Sequence, residues 1–519
     1  MIPEQSINKY LRRYLFWKKI RVLFQALILI VFVLLFISTR RNGIDADLAN
    51  VLLHFDPLLT LTNLLSSRII ILASSISILT ILLTIAFGRV WCGWICPLGT
   101  ILDVFSLKKW RQKDRTPDES WRRIKYSALF IILFSALFGN LTLLILDPLT
   151  ILYRTFTTSI WPASSQILFS LEKTLYQVQF LEKPISTLDS WLRPSIFPSQ
   201  AVFYNSSLLF AVVIAFIVLL NLFAPRFWCR YLCPLGGLLS LISKFAIFRR
   251  VVKNDCKSCA ICSSNCPTGT IDPTRGYQSD PGECTMCLQC FVECPRSTVG
   301  IKAQPNRAAW FPYNPARREF LASAGAGIAL VALSRSDGFS ARKNDHLIRP
   351  PGVIEDGFLS KCIRCGECMR VCPTRAIQPA LAEASFESLW TPVIIPRLGY
   401  CEFSCNSCGQ ICPVQAIPLL DLEEKRKQVI GSAYIDKNRC IAWADQKDCI
   451  VCEEMCPVVE KAIKLVPTDY ISQENQKITV QLPVVLRNLC IGCGICEYKC
   501  PVKGESAIRV YIPNSIVLV

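Results

Sequence analysis

Four long uncharged apolar runs, 22–38, 69–87, 126–146 and 206–224, dominate the first 250 residues of a 519-residue chain. About 20 apolar residues cross a bilayer core of about 30 Å, so the pattern predicts four membrane helices, the first marginal in length. The runs lack the 3.6-residue alternation of polar positions that marks the surface helices of a soluble domain. Lys and Arg set the expected orientation. They cluster before the first run (Lys9, Arg12, Arg13, Lys18, Lys19, Arg21), between the second and third (from Lys108 to Lys125) and after the fourth (Arg226, Arg230, Lys244, Arg249, Arg250, Lys253). These groups are expected in the cytoplasm. The loops 39–68 and 147–205 are then periplasmic, with Arg40 and Arg41 running against the rule.

After residue 250 cysteine takes over. Of 28 cysteines, 24 fall in six groups of four, each ending in Cys-Pro. Four groups keep the spacing C-x2-C-x2-C-x3-C-P: Cys256, Cys259, Cys262 and Cys266; Cys284, Cys287, Cys290 and Cys294; Cys362, Cys365, Cys368 and Cys372; Cys490, Cys493, Cys496 and Cys500. Two are stretched at the front: Cys401, Cys405, Cys408 and Cys412, and Cys440, Cys449, Cys452 and Cys456. This is the bacterial ferredoxin pattern, in which three close thiolates hold one cubane and the fourth reaches a neighbouring one. Six motifs predict six [4Fe-4S] clusters. Whether adjacent motifs exchange their fourth cysteines or pair as nested sets stays open. Structural zinc sites rarely repeat a block ending in Cys-Pro, and a disulfide framework belongs to much smaller secreted domains.

The membrane part repeats itself. Arg89-Val-Trp-Cys92-Gly-Trp-Ile-Cys96-Pro-Leu-Gly matches Arg226-Phe-Trp-Cys229-Arg-Tyr-Leu-Cys233-Pro-Leu-Gly. Asp56-Pro-Leu and Asp147-Pro-Leu repeat as well. The first pair brings Cys92, Cys96, Cys229 and Cys233 to one membrane face, where thiolates suit an additional cluster or metal centre; a redox thiol pair and simple packing are the alternatives. The Asp-Pro steps fit helix N-caps with proline at N1, and His54 fits a solvated loop residue. The other reading of His54, Asp56 and Asp147 is proton handling beside a quinol.

Between the two ferredoxin-like parts, Arg317-Arg-Glu-Phe-Leu opens a short Ala/Gly-rich apolar run, which looks like a twin-arginine export signal. The domains expected are therefore 1–250, a four-span membrane domain; 251–305, a cytoplasmic two-cluster domain; 306–344, a signal-like segment and candidate fifth span; and 345–519, a periplasmic four-cluster domain. The fold class is an α-helical membrane domain plus α+β bacterial-ferredoxin-like iron-sulfur domains. The orientation bias accounts for part of the net charge of +18, and no nucleic-acid motif stands out. With two histidines, neither in an apolar run, and no C-x2-C-H, no haem is expected.

On these residues, positions 10–300 resemble the NapH family of quinol-oxidising membrane iron-sulfur proteins, and 314–519 the NapG/MauM family of periplasmic four-cluster ferredoxins. The first half is also similar to accessory membrane proteins of nitrous-oxide reductase and to membrane copper reductases of oxidase assembly. The resemblance implies electron flow from menaquinol to a periplasmic molybdenum reductase or c-type cytochrome, in the bacterial inner membrane with the N-terminus cytoplasmic. A copper-reducing or maturation factor, and a conduit fed by a soluble ferredoxin, are the alternative functions.

Overall fold

The computed structural model describes residues 4–38, 46–106, 119–177, 203–303, 317–335, 347–381, 386–471 and 477–512, with short pieces between 180 and 190. Arg40, Arg41, the basic residues from 108 to 115, the start of the signal-like segment and His346 lie outside the described residues. The chain divides into two units, Met1–Thr155 with Leu209–Leu333, and Phe156–Leu208 with Ser334–Val519.

In the first unit, the helix Glu4–Ser38 contains a 24-residue apolar stretch, Leu15–Ser38. Among the described residues it is the one helix long and apolar enough to cross a membrane; Leu72–Phe87 and Ser207–Leu222 are apolar but shorter. The run 126–146 is not one helix. The helix Arg123–Leu137 ends in Gly139 at φ 81°, with Gly139 N–H bonded to Ala136 O and Asn140 N–H to Ser135 O. Those two bonds form a Schellman stop, which satisfies the last carbonyls and turns the chain. A single 3₁₀ turn, Thr142–Leu146, follows.

Four short helices share one construction: Pro57–Ser67, Pro97–Val104, Pro148–Thr155 and Pro234–Ser243. Each has proline at its first position, where a missing N–H costs nothing, and is preceded by Asp56, Cys96, Asp147 or Cys233. Pro97–Val104 packs on Pro148–Thr155, and Pro234–Ser243 on Pro57–Ser67. The Asp-Pro and Cys-Pro elements of the repeat thus meet crosswise.

The segment carrying the first two cysteine motifs belongs to this same unit. It is bracketed by the antiparallel strands Phe248–Val252 and Val299–Ala303. This differs from the sequence expectation of a separate domain at 251–305, and buried ion pairs described below explain why. The helix Arg317–Arg335 also belongs here through Leu333. It runs parallel to Arg123–Leu137: Arg123 pairs with Glu319 at 2.9 Å, Phe320 meets Phe130 and Phe134 edge to face, and Gly327 lies against Phe134.

The second unit holds the other four motifs on small antiparallel pairs, Ile377–Pro379 with Pro392–Ile394, Ser432–Ile435 with Ile508–Tyr511, and Ile463–Ile471 with Lys477–Val485. Ala442, Val480, Leu482 and Ala507 form a buried core beside Cys440. Residues 156–208, expected in the membrane domain's loop, pack here instead: Tyr204 Oη donates to Met369 O at 3.2 Å, and Thr157 lies against Gly366.

Candidate metal centres

The regular motifs share a backbone device. The residue before the second cysteine and the one after it are both left-handed: Ser258 and Ala260, Met286 and Leu288, Arg364 and Gly366, Gly492 and Gly494. Left-handed residues are rare for side chains other than glycine. Their regular placement curls each loop so that its three thiols face one centre and its amides line a concave nest. A further left-handed residue follows each Cys-Pro: Gly269, Ser297, Arg375 and Gln415 stand three positions after the cysteine, Glu460 and Gly504 four.

These turns send each fourth cysteine across to the neighbouring motif. Cys266 sits with Cys284, Cys287 and Cys290, and Cys294 with Cys256, Cys259 and Cys262. Cys412 sits with Cys362, Cys365 and Cys368, and Cys372 with Cys401, Cys405 and Cys408. Cys456 lines one cavity with Cys490, Cys493 and Cys496. Cys500 lines another with Cys440, Cys449 and Cys452. Adjacent motifs therefore exchange their fourth cysteines, and nested pairing is excluded. The set of Cys401, Cys405 and Cys408 connects directly to that of Cys490, Cys493 and Cys496, because Cys401 N–H donates to Cys493 O at 2.8 Å.

The donor sets fit cubanes. The walls of the two cavities are otherwise apolar, including Ala433, Ile463 and Val510 in one and Ile435, Pro483 and Val502 in the other. Amides aim at sulfur, as in Ala433 N–H to Cys490 Sγ at 3.4 Å and Ile417 N–H to Cys412 Sγ at 3.5 Å. Among the described residues no three His, Cys, Asp or Glu side chains are placed to hold a single metal ion. Burial pushes the thiols of Cys284, Cys452 and Cys493 up to about 12, so metal must displace protons as it binds.

The repeat forms a further site. Cys92, Cys96, Cys229 and Cys233 are all buried, and each pair lies within electrostatic reach of the other. Each C-x3-C segment is one turn of π-helix, Trp91–Ile95 and Trp228–Leu232. Sequence reasoning missed the role of the two motif arginines, although their repetition was the signal. They bind crosswise: Arg89 donates to Cys229 O at 3.2 Å, and Arg226 to Cys92 O at 2.9 Å. Both are fully buried.

Buried charges need partners, and the two arginines find different ones. Arg226 pairs with Asp103, which also receives Arg21 and Gln25. Arg89 pairs with Glu283 at 2.9 Å, and Lys125 and Tyr126 bind the same carboxylate. Burial alone would raise the pKa of Glu283, but Lys125, Arg89 and Arg122 together hold it down at about 2. Glu283 immediately precedes Cys284, so this network fastens the second ferredoxin motif onto the repeat.

Both copies of the repeat grip the same cysteine set. The first copy holds the loop from Cys284: Trp94 Nε1 donates to Met286 O at 3.1 Å, and Arg21 bridges Gly93 O to Cys287 O. A side chain at Gly93 would strike Thr285 O, at 2.2 Å. The second copy holds the turn after Cys266, where Arg230 packs on Gly269 and Arg122 donates to Gly269 O at 2.7 Å.

Asp56 and Asp147 are N-caps, as expected. Asp56 Oδ1 accepts from Leu58 N–H at 2.8 Å and Leu59 N–H at 3.3 Å; Asp147 Oδ2 accepts from Leu149 and Thr150 N–H, both at 3.0 Å. His54 is corrected: it is buried rather than solvated, because the short helix Val51–His54 packs inward, with Nδ1 3.4 Å from Ser74 Oγ.

Sequence comparison agrees with these centres. A family described as "4Fe-4S binding domain" matches residues 69–116 and 206–254, the stretches that contain Cys92/Cys96 and Cys229/Cys233. A second family of the same description matches 358–378, around the Cys362 motif. The methylamine utilization ferredoxin-type protein MauM of Methylorubrum extorquens is 35% identical over 222 residues, 40% of this chain and 93% of its own length. The ferredoxin-type protein NapG of Escherichia coli is 33% identical over 204 residues, 38% of this chain and 84% of its own. NapG of Haemophilus influenzae is 32% identical over 208 residues, 38% and 72% respectively. No solved structure matches. Over this part of its length the chain belongs to the NapG/MauM family of ferredoxin-type iron-sulfur proteins.

Proposed function

We propose that the chain is a membrane-bound electron carrier that oxidises a quinol, with menaquinol the expected donor, and passes electrons to a separate periplasmic acceptor, a molybdenum reductase or c-type cytochrome. The observation that carries this reading is the convergence of both repeat copies on one cysteine set, Cys266, Cys284, Cys287 and Cys290. Six [4Fe-4S] clusters, when bound, supply one-electron carriers at the six cysteine sets. Cys92, Cys96, Cys229 and Cys233 bring four further thiols together in the repeat, with Arg89 and Arg226 offsetting the negative charge that thiolates would concentrate there.

The membrane placement rests on outward-facing apolar side chains. Leu23, Leu27 and Leu34, Leu79 and Leu82, and Leu208, Val212 and Phe216 are all exposed. Apolar surface of this extent marks a lipid or protein contact, and three helices that each present it on the face opposite their buried one fit lipid. In this reading all four apolar runs lie in the inner membrane, the shorter ones thinning the bilayer locally. The helix Arg317–Arg335 stays as a fifth element, because its small residues seat it on Arg123–Leu137 as membrane helices pack. The N-terminus is then cytoplasmic and residues 345–519 are periplasmic.

Iron and sulfide analysis of the full chain in lipid should give about 24 of each from six cubanes, and a menaquinol analogue should bleach the clusters. Reduction by dithionite but not by quinol, with lipid retained, would sink the quinol reading and favour a conduit fed by a soluble ferredoxin.

A further inference from the structure

Two adjacent arginines take opposite faces of the strand Phe248–Val252, because successive side chains of a strand alternate. Arg249 is half-buried and turns back on its own chain, donating to Ala246 O at 2.7 Å and Lys244 O at 2.8 Å. Arg250 points the other way and is buried. Its Nε donates to Cys290 Sγ at 3.3 Å and its Nη1 to Tyr277 O at 2.7 Å, while its Nη2 is buried with no partner. In the sequence Arg250 reads only as one of the basic residues that set membrane orientation. A solvated charge would serve that end, so its burial needs another reason.

A buried guanidinium needs a counter-charge. Arg89 and Arg226, also buried, each pair with a carboxylate. Among the described residues Arg250 pairs with none; its contacts are one sulfur and one carbonyl. The negative charge it lacks is what thiolates bring once the cysteine sets hold metal. The carbonyl contact leads to the neighbouring set. Tyr277 is buried and left-handed, at φ 60°, a conformation rare for a bulky residue. Its carbonyl accepts from Arg250, and its Oη donates to Ser258 O at 2.9 Å, inside the loop between Cys256 and Cys259. Arg250 thus touches a ligand of one set directly and reaches the loop of the other through a single residue.

We propose that Arg250 is the built-in counter-ion of this two-cluster segment, raising the reduction potential of the cluster at Cys284, Cys287 and Cys290 and, by a smaller amount, that of the cluster at Cys256, Cys259 and Cys262. The inference rests on the iron-sulfur reading above and not on the quinol donor. Reduction at either set adds one electron, and so one negative charge, with no bond formed or broken. The guanidinium stays protonated throughout and stabilises the added charge. Hydrogen bonds to sulfur and net charge are among the terms that set such potentials, and the direct N–H to sulfur contact goes to Cys290. The bias therefore favours the set on which both copies of the repeat converge.

The test is a dithionite titration of the full chain in lipid, followed by low-temperature electron paramagnetic resonance, in wild type, Arg250→Met and Arg250→Lys. Cys266→Ser and Cys294→Ser identify the two signals. Methionine fills the space of the arginine stem without its charge, an exchange that buried sites often tolerate. With iron content unchanged, Arg250→Met should make reduction of the cluster at Cys290 about tenfold less favourable, a fall of about 59 mV for one electron, with a smaller fall at the other cluster. Arg250→Lys keeps the charge and should bring both potentials back towards wild type. Full iron with unmoved potentials in Arg250→Met would overturn the counter-ion role, and equal falls at both clusters would overturn the preference for Cys290. If Arg250→Met loses iron, Arg250→Lys decides: full iron with potentials near wild type supports the role of the charge, whereas loss of iron there too would make Arg250 a structural strut and overturn the proposal. Wild type without iron at these sets would overturn the iron-sulfur reading and the counter-ion with it. Because dithionite is the reductant, a chain that quinol fails to reduce would sink the quinol reading and leave this result untouched.

Discussion

The two copies of the repeat are closest to identical at Arg89 and Arg226, and differ most in what neutralises them. Fourteen residues after Arg226 stands Ser240; fourteen after Arg89 stands Asp103. Asp103 lies on a helix of the repeat and serves Arg226, the other copy's arginine. The second copy has no such carboxylate to return. Ser240 instead binds Tyr126 Oη at 2.6 Å, and Tyr126 leads to Glu283, which serves Arg89. One arginine is thus balanced from within the repeat, the other from the ferredoxin segment. The lesson is that a missing carboxylate in one copy creates the attachment point for a second element, because a buried guanidinium left alone would cost several kcal/mol.

The comparison breaks most visibly at the fourth cysteines. Cys266→Ser should remove or convert the cluster next to the repeat, costing up to about four iron per chain, whereas Cys294→Ser should alter the neighbouring one. Low-temperature electron paramagnetic resonance of the reduced protein separates the two; identical spectral losses in both variants would contradict the exchange of fourth cysteines.

Glu283→Gln comes next. It leaves Arg89 and Lys125 buried without a counter-charge, a loss of about 3–5 kcal/mol. Hydrogen exchange at 280–290 should speed up strongly as the ferredoxin segment comes loose from the repeat. Asp103→Asn should cost less, about 1.5–3 kcal/mol for hydrogen bonds to charged groups, since the Asp103 side chain is 23% exposed and water can replace part of what it gave. Exchange at 280–290 should rise less than in Glu283→Gln, through the loosening of Arg21, which Asp103 binds and which donates to Cys287 O. Equal exchange in the two variants would remove the asymmetry.

The smallest effect is on pH. Glu283 sits in the folded protein at about 2, below its ordinary 4.5. A depressed carboxylate stabilises fully above its unfolded pKa and loses that contribution as pH falls through the folded one. Attachment of the segment should therefore be flat above about pH 4.5 and weaken towards about pH 2, a slope that Glu283→Gln should abolish.

Much of this was legible in the chain. The cysteine spacing predicted the six sets, and Asp-Pro predicted both N-caps, because local backbone chemistry determines each. Pairing of the sets was not legible: it depends on the left-handed turns at Ser297, Arg375 and Gln415, where the side chain carries no turn signal. The break at Gly139-Asn140 was readable as turn chemistry, but it lies inside an apolar run that looks continuous by hydrophobicity alone. The burial of His54 and the tie from Glu283 to Arg89 are contacts between distant segments, 194 residues apart in the second case, and no local pattern announces them.

The central claim is that electrons enter the ferredoxin chain at the set Cys266, Cys284, Cys287 and Cys290, beside the repeat. Rapid-freeze electron paramagnetic resonance after mixing the full chain with a menaquinol analogue tests it directly. The first signal to rise should be the one that Cys266→Ser removes, with that of the Cys500 set among the later ones. If the Cys500 signal rises first, or if the Cys266 signal stays oxidised while the others fill, the repeat is not the point of entry.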